Sequence, residues 1–186
     1  MTSPREGPST HETAVVEENA IVGRGTRFYG RAHVRHGAVI GDDCTIGTNV
    51  FVDEGVRIGS RVEIQSNVSV YRGVTIEDEV LVGTSAEFTN DLYPRAVAES
   101  WQVVPTILHR GATIGANATI VCGNDIGSSA TVGAGAVVVK PVQDHELVLG
   151  NPASRSGWVC ACGRLVARTS ERPEDLRCAE CRREGR

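Results

Sequence analysis

The sequence predicts an all-β fold, a left-handed parallel β-helix, from two features of the chain. A large apolar residue recurs at every sixth position along 39–90, a spacing that neither a 3.6-residue helix nor an alternating strand produces. These residues are Ile40, Ile46, Val52, Ile58, Ile64, Val70, Ile76, Val82 and Phe88. Three residues after the repeated position the chain mostly carries Gly or Asn, which adopt a positive φ at the least cost. Such residues are Asn19, Gly25, Gly37, Asn49, Gly55, Asn67, Gly73, Gly111, Asn117, Gly123 and Gly135. In a parallel β-helix each short strand and its corner use six residues, so both features fit.

The repeat also predicts the organisation of the chain. Residues 1–14 are polar and are expected to be disordered. The β-helix is predicted over 15–142, interrupted by a loop at 91–107. An extended exit segment is expected at 143–157. A cysteine-rich tail then covers 158–186.

Composition argues against several classes of function. The net charge of −4 disfavours a nucleic-acid partner, which would require a basic face. No apolar run approaches the roughly 20 residues of a membrane span, and the first residues lack the apolar core of a signal peptide. We therefore expect a cytoplasmic protein whose six cysteines are metal ligands or buried thiols. Cys44 and Cys122 occupy positions of the repeat and are predicted to be small buried hydrophobes.

Four cysteines in the tail predict a structural zinc site. Cys160 and Cys162 form a CxC pair, and Cys178 and Cys181 form a CxxC pair 15 residues further on. Two cysteine pairs at this separation are typical of a zinc ribbon, in which four thiolates surround the metal tetrahedrally. The CxC spacing is tighter than usual, and four unmetallated cysteines in a loose tail are the alternative.

The interruption of the repeat predicts a functional loop. The six-residue repeat stops at Asn90 and resumes, two residues out of phase, at Leu108. The chain must therefore leave the β-helix at a corner, form a loop and return. It carries Tyr93, Arg95 and Trp101, and loops on rigid scaffolds often hold working residues. A tolerated insertion is the alternative interpretation.

Three segments resemble a known family: IQSNVSVYRGVTIEDEVLVGTSAEFTND (64–91), YPRA (93–96) and GATIGANATIVCG (111–123). They resemble hexapeptide-repeat acyltransferases that N-acetylate nucleotide-linked 3-amino sugars, such as UDP-2-acetamido-3-amino-2,3-dideoxyglucuronate. GNPA at 150–153 resembles a shorter signature of β-helices that use coenzyme A. The resemblance covers about residues 11–158. It implies acetyl-CoA as cosubstrate, a homotrimer, and active sites in clefts between neighbouring subunits.

The resemblance places the chemistry at the FTN asparagine, which is Asn90 here. Acetyl transfer from a thioester requires a neutral amine, a stabilised oxyanion and a destination for a proton. The amide of Asn90 offers both a donor and an acceptor, so it is the predicted catalytic group; an asparagine that only caps the loop is the alternative. Asn67, Tyr71, Glu77 and Arg95 are the predicted contacts to the nucleotide sugar. The guanidinium fork of Arg95 matches a diphosphate.

No enzyme histidine is expected to act as the base. The five histidines are His11, His33, His36, His109 and His145, and none lies near Asn90 in the sequence. A sugar amine should titrate like an α-amino group, with a pKa of about 7.7–8.0, so much of it is free base at neutral pH. His109 stands where relatives carry basic residues, and it is predicted to be a surface substitution.

Acetyl-CoA is expected to lie beside the later coils. The predicted cofactor-binding residues are Gly115, Ala116, Ala136, Lys140, Pro152 and Arg155. Narrow corners rich in Gly and Ala would let the pantetheine arm approach backbone amides, while the two basic side chains would meet the phosphates.

Other functions of β-helix trimers are less consistent with the sequence. A γ-type carbonic anhydrase needs three histidines around zinc, but His33 and His36 have no third histidine on an adjacent coil. A non-catalytic scaffold stays open, because loss of activity through subtle drift leaves the repeat intact. An acetyltransferase for another acceptor, such as an antibiotic or a dTDP-linked amino sugar, also stays open.

Overall fold

A computed structural model describes residues 7–98 and 101–185 of the chain. Its strands form three sheets that are the three faces of one prism, and this confirms the predicted parallel β-helix. The parallel strands of the first face are Ser9–Thr10, Arg27–Phe28, Thr45–Ile46, Glu63–Ile64, Leu81–Val82, Thr113–Ile114, Thr131–Val132 and Glu146–Leu149. Those of the second face are Val15–Val16, His33–Val34, Phe51–Val52, Ser69–Val70, Glu87–Phe88, Thr119–Ile120 and Val137–Val138. Those of the third face are Ile21–Val22, Val39–Ile40, Arg57–Ile58, Val74–Ile76 and Thr106–Leu108.

Residues 18 positions apart stack directly on one another, because three six-residue repeats complete one coil. Glu63 pairs with Thr45 on one side and with Leu81 on the other. Beyond the loop the offset changes, and Phe88 pairs with Ile120. Coils are separated by the spacing of strands in a sheet, about 4.8 Å.

The corners behave as the sequence predicts. From Asn19 to Gly135, each position three residues after a repeated apolar residue has a positive φ, except Asp91, where the chain leaves the coil to form the loop. This includes corners occupied by neither Gly nor Asn, such as Arg31 (φ 59°) and Glu79 (φ 63°). The coil geometry therefore imposes the left-handed conformation on any residue at this position, and Gly and Asn adopt it with the least strain.

The repeated residues fill the interior of the prism. Ile46, Ile64, Val82 and Ile114 are fully buried. Burying such a side chain stabilises the fold by roughly 1.5–3 kcal/mol. The ladders on the three faces, together with small residues at the corners, form the hydrophobic core. The two cysteines of the repeat are also buried, as predicted, and burial raises the pKa of the Cys44 thiol.

The ends of the β-helix differ from the predicted boundaries. Ser9–Thr10 pairs in parallel with Arg27–Phe28, so the prediction of disorder is wrong for this strand, while residues 1–6 lie outside the described part of the chain. At the other end, the predicted exit segment continues the first face as Glu146–Leu149. The chain then reverses, and Ser154–Val159 runs antiparallel to that strand. The loop is also shorter than predicted, because regular pairing resumes at Thr106.

The tail forms a small unit packed on the last coil. Leu165–Ala167 pairs antiparallel with Ser154–Val159, and a short helix covers Ala179–Arg183. Trp158 is buried beneath this unit, and its indole N–H donates to the carbonyl of Thr169 at 3.1 Å. Within the described residues, no helix has the length and apolar character needed to cross a membrane.

Candidate active site

The predicted site residues divide among the three corners of the prism. The first corner joins the first face to the second, the second corner joins the second face to the third, and the third corner leads back to the first face. Tyr71, Asn90, Arg95 and Lys140 lie on the second corner or its loop. Asn67, Gly115, Ala116, Ala136 and Pro152 lie on the first corner. Glu77 lies on the third corner. Among the described residues of one chain, Asn90 therefore shares its corner with Tyr71, Arg95 and Lys140, and the other predicted residues lie on other corners or, for Arg155, beyond the last corner.

Asn90 belongs to a column of residues that stack along the second corner. The pairing of the second face puts these side chains in register: His36, Glu54, Arg72, Asn90, Cys122 and Lys140. Lys140 is two coils beyond Asn90, roughly 10 Å away, and His36 is three coils before it, roughly 14 Å away. We call this set the second-corner column.

The side chain of Asn90 is half-buried and held at the base of the loop. The side-chain Nδ2 of Asn90 donates to the backbone carbonyl of Arg72 at 3.2 Å. The backbone carbonyl of Asn90 accepts from the N–H of Val104 at 3.0 Å. The first contact uses one amide N–H. The second N–H and Oδ1 can still face a ligand, so the structure accommodates both the catalytic and the loop-capping interpretations.

The loop encloses a cavity next to Asn90. A cavity of about 480 Å³ is lined by Asp91, Leu92, Tyr93, Trp101, Gln102 and Val104. Tyr93 and Trp101 are 82% and 51% exposed, so the loop presents two aromatic rings to solvent. Arg95 is also exposed, and its Nη1 donates to the carbonyl of Pro94 at 2.7 Å. Tyr71 lies at the foot of the loop, with its ring 6.0 Å from that of Phe51.

Arg72 connects the loop to the prism, a role that the sequence reasoning missed. Its guanidinium lies 5.4 Å from the centroid of the Trp101 ring, within the range of a cation–π interaction. Its Nη1 is 2.5 Å from Oε1 of Glu54, one coil earlier in the second-corner column. The 18-residue spacing of Glu54, Arg72 and Asn90 in the sequence could have shown that these three residues stack on one corner.

On the first corner the predicted residues contribute to coil stacking. A Cβ on Gly115 would lie 2.4 Å from the amide nitrogen of Ala134, so the next coil requires glycine there. Ala136 is buried in the core, and its N–H donates to the carbonyl of Gly133 at 3.2 Å. These contacts give Gly115 and Ala136 a role in coil stacking, and the approach of the pantetheine arm to backbone amides at this corner stays a prediction. Asn67 is exposed and accepts from the amide of Asn49 at 3.1 Å.

Glu77 is already engaged on the third corner. Its Oε1 is 3.1 Å from Nδ1 of His109, and its Oε2 accepts from the N–H of Arg110 at 2.8 Å. His109 thus belongs to a charged surface cluster on a different corner from Asn90. A substrate contact by Glu77 stays a prediction.

Arg155 contacts other parts of the chain, which argues against the predicted cofactor role. Its Nε lies 2.7 Å from Oε1 of the buried Glu146, and its Nη1 donates to the carbonyl of Ser170 at 3.0 Å. The guanidinium also lies 4.7 Å from the centroid of the Trp158 ring. Arg155 fastens the tail to the last coil. Lys140 and Pro152, by contrast, are exposed.

The four tail cysteines converge as predicted for a metal ligand set. Their sulfurs all lie within 4.8 Å of one another, and the Cys162 and Cys178 sulfurs are 3.6 Å apart. Tetrahedral zinc with Zn–S bonds of about 2.3 Å requires sulfurs about 3.8 Å apart, so the set fits this metal. The N–H and guanidinium of Arg164 lower the pKa of Cys162 to about 6. Hydrogen bonds among the sulfurs raise the pKa of Cys181 to about 12.

Comparison with known proteins agrees with the fold and identifies the family. The model described as "Bacterial transferase hexapeptide (six repeats)" matches residues 14–54, and "Hexapeptide repeat of succinyl-transferase" matches 37–72 and 105–140. A hexapeptide-repeat acetyltransferase of Vibrio cholerae O1 biovar eltor, solved with acetyl coenzyme A, is 30% identical at a TM-score of 0.58, over 66% of this chain and 70% of that one. The acetyltransferase domain of PglB from Neisseria gonorrhoeae shares the fold, with a TM-score of 0.52 and 24% identity. That match covers 81% of this chain, which spans 58% of the PglB chain.

A curated relative gives the most informative match. It is the dTDP-3-amino-3,6-dideoxy-alpha-D-galactopyranose 3-N-acetyltransferase of Aneurinibacillus thermoaerophilus, 48% identical over 162 residues. The match covers 87% of this chain and 84% of the relative. Identity at this level over most of both chains is far more specific than the six-residue repeat alone. The chain therefore belongs to the hexapeptide-repeat nucleotide-sugar N-acetyltransferases.

Proposed function

We propose that this protein transfers the acetyl group of acetyl-CoA to the 3-amino group of a dTDP-linked 3-amino-3,6-dideoxyhexose. The observation that carries the proposal is the 48% identity to an enzyme named for that reaction, over 84% of its length. The sequence alone suggested a UDP-linked relative and left the nucleotide open; this relative favours dTDP.

The reaction needs little acid–base help from the enzyme. The amine lone pair attacks the thioester carbonyl carbon, a C–N bond forms, the C–S bond breaks, and the departing thiolate takes the amine proton. An amine with a pKa of about 7.7–8.0 is already substantially neutral at physiological pH. Positioning by Asn90 then supplies much of the acceleration, because its free N–H and Oδ1 can orient the amine and the forming oxyanion. His36 lies on the same corner, but roughly 14 Å from Asn90 it is too distant to accept a proton there.

The donor is proposed to approach along the second-corner column. Lys140 is exposed and lies two coils beyond Asn90, on the side where the phosphates of acetyl-CoA would extend from a thioester at the loop. Pro152 and Ala116 lie on the first corner, and a full face of the prism separates them from this column. They can join the same site only if another subunit presents its first corner.

This division among corners supports a homotrimer. Asn67 and Glu77 are separated from Asn90 in one chain, and a cleft between prisms would bring different corners together. We therefore expect light scattering at micromolar concentration to give three times the chain mass of 19.8 kDa. A monomer mass at that concentration would contradict the proposed intersubunit site.

The substrate is best tested with a matched panel. Purified protein is incubated with acetyl-CoA and dTDP- or UDP-linked 3-amino sugars, with a dTDP-linked 4-amino sugar as the positional control. Mass spectrometry should show one added acetyl group, with the highest kcat/KM for the dTDP-linked 3-amino-3,6-dideoxyhexose. Acetylation of none of these sugars, or faster acetylation of an aminoglycoside antibiotic, would refute the proposed substrate.

A structural zinc ion is proposed at the cysteine cluster. Cys160, Cys178 and Cys181 are buried, and Cys162 is exposed at the edge of the cluster. When bound, the metal would tie the CxC turn to the helix at Ala179–Arg183. All six cysteines of the chain lie in its described part and none forms a disulfide, which suits a reducing compartment, so we place the reaction in the cytoplasm.

A further inference from the structure

We infer that Arg72 is a positioning residue: through Trp101 it holds the loop, described at residues 91–98 and 101–105, against the prism, and so keeps the cavity beside Asn90 in its working shape. This inference rests on the proposed function for its kinetic consequences. Its structural basis is independent of the reaction, and it comes from the contacts on the two sides of the Arg72 side chain.

Two carboxylates of the prism bind Arg72. Its N–H donates to Oδ2 of Asp53 at 3.2 Å, and Arg35 donates to Oδ1 of the same carboxylate at 2.9 Å. Burial alone would raise the pKa of Asp53, but hydrogen bonds from the amides of Glu54 and Arg72 outweigh it and lower the pKa. Glu54 then holds the Arg72 guanidinium from the coil below. The carboxylates of Asp53 and Glu54 both belong to the prism, so they orient Arg72 independently of the loop.

Other contacts hold the described residues at the stem of the loop. Its returning segment passes over Gly73 (φ +99°), where an added Cβ would lie 2.4 Å from Cγ1 of Val103. The N–H of Thr106 donates to the carbonyl of Gly73 at 3.1 Å. These contacts fix the stem of the loop. The cation–π contact between Arg72 and Trp101 acts further out, on a ring that lines the cavity.

The same residue also touches the candidate catalytic side chain. The carbonyl of Arg72 accepts the amide N–H of Asn90, while its guanidinium faces Trp101. Arg72 therefore links the wall of the cavity to the group that performs the chemistry. Loss of its side chain should loosen the wall while the backbone contact to Asn90 persists.

The first test measures the loop directly. Acrylamide quenching of tryptophan fluorescence reports on Trp101, because Trp158, the other tryptophan of the chain, is only 1% exposed. Arg72→Ala should increase the quenching, and Arg72→Lys should restore part of the protection, since lysine also binds an aromatic face. Arg61→Ala is the matched control, because Arg61 makes a similar surface ion pair with Glu79 on the third corner. Quenching in Arg72→Ala equal to that of Arg61→Ala would overturn the inference.

The second test measures coupling in the enzyme. Arg72→Ala and Trp101→Ala should each lower kcat/KM for the sugar nucleotide by about fivefold, the upper range of an exposed cation–π contact. The double variant should lose no more than either single variant, because both remove one interaction. Losses that multiply in the double variant, or a kinetic loss in Arg72→Ala without increased quenching, would refute the positioning role. If the wild-type protein acetylates no sugar nucleotide, the proposed function fails, and the quenching test still decides whether Arg72 holds the loop.

Discussion

Replacement of Asn90 by alanine is expected to lower kcat by about 10²–10³-fold while acetyl-CoA binding changes little. This is the loss typical of removing one oxyanion-type donor that acts chiefly in the transition state. Steady-state kinetics with saturating sugar nucleotide would measure it, and isothermal titration with acetyl-CoA would measure donor binding. Asn90→Asp, which keeps the shape but loses both N–H donors, should be similarly impaired.

Three controls separate chemistry from loop structure. His33→Ala and His109→Ala should cost less in kcat, because neither is assigned a proton transfer. The pH profile of kcat/KM should follow the titration of the substrate amine. Acrylamide quenching of Trp101 should stay at the wild-type level in Asn90→Ala, since Arg72 still holds the loop. Abolished turnover in a folded, trimeric His33→Ala variant would replace this mechanism with one that uses a histidine base.

Replacement of Cys178 by serine is expected to release the metal and unfold the tail. Cys178 caps the helix Ala179–Arg183, and its sulfur accepts from the N–H of Cys181. Serine is a good helix N-cap, so this substitution preserves the cap and removes only a thiolate ligand. Structural zinc sites in small peptides bind with about 10–16 kcal/mol, far more than the tail gains from its few buried residues.

Metal analysis and limited proteolysis measure this effect. The wild-type protein, purified without chelator, should contain one zinc per chain, and Cys178→Ser should contain none. Cleavage should become rapid after Trp158, while calorimetry still shows cooperative melting of the β-helix. Cys44→Ser is the matched control, because it alters a buried thiol of the prism and should retain the metal. Absence of zinc from the wild-type protein would refute the site.

The fold was predictable from sequence because each coil has the same two structural requirements. An aliphatic residue fills the interior once per six residues, and a positive φ is needed at each corner. The pairing register of the strands on each face then follows, because residues 18 positions apart in the sequence stack on one another. The ends were less predictable, since Ser9–Thr10 and Glu146–Leu149 join the first face without a strong apolar ladder.

The site was predictable only in part. The loop was predicted because the six-residue repeat breaks at Asn90, and the cysteine pairs were predicted from their spacing. The catalytic role of Asn90 was predicted from the resemblance of the FTN segment to the family. The corner on which each residue lies also follows from its position in the 18-residue cycle, and that count would have separated Asn67 and Glu77 from Asn90. The contact of Arg72 with Trp101 could not be predicted, because the path of an irregular loop does not follow from a repeat.

The reversal of the chain after Leu149 has a consequence for self-assembly. A parallel β-helix has no natural end, because its last coil offers unpaired N–H and C=O groups on which a further coil, or another molecule, can continue. On the first face, Ser154–Val159 occupies that edge in the opposite direction, so an incoming parallel rung cannot add there. The cysteine cluster anchors the segment that follows this strand. A metal ion bound there would therefore oppose head-to-tail growth into filaments.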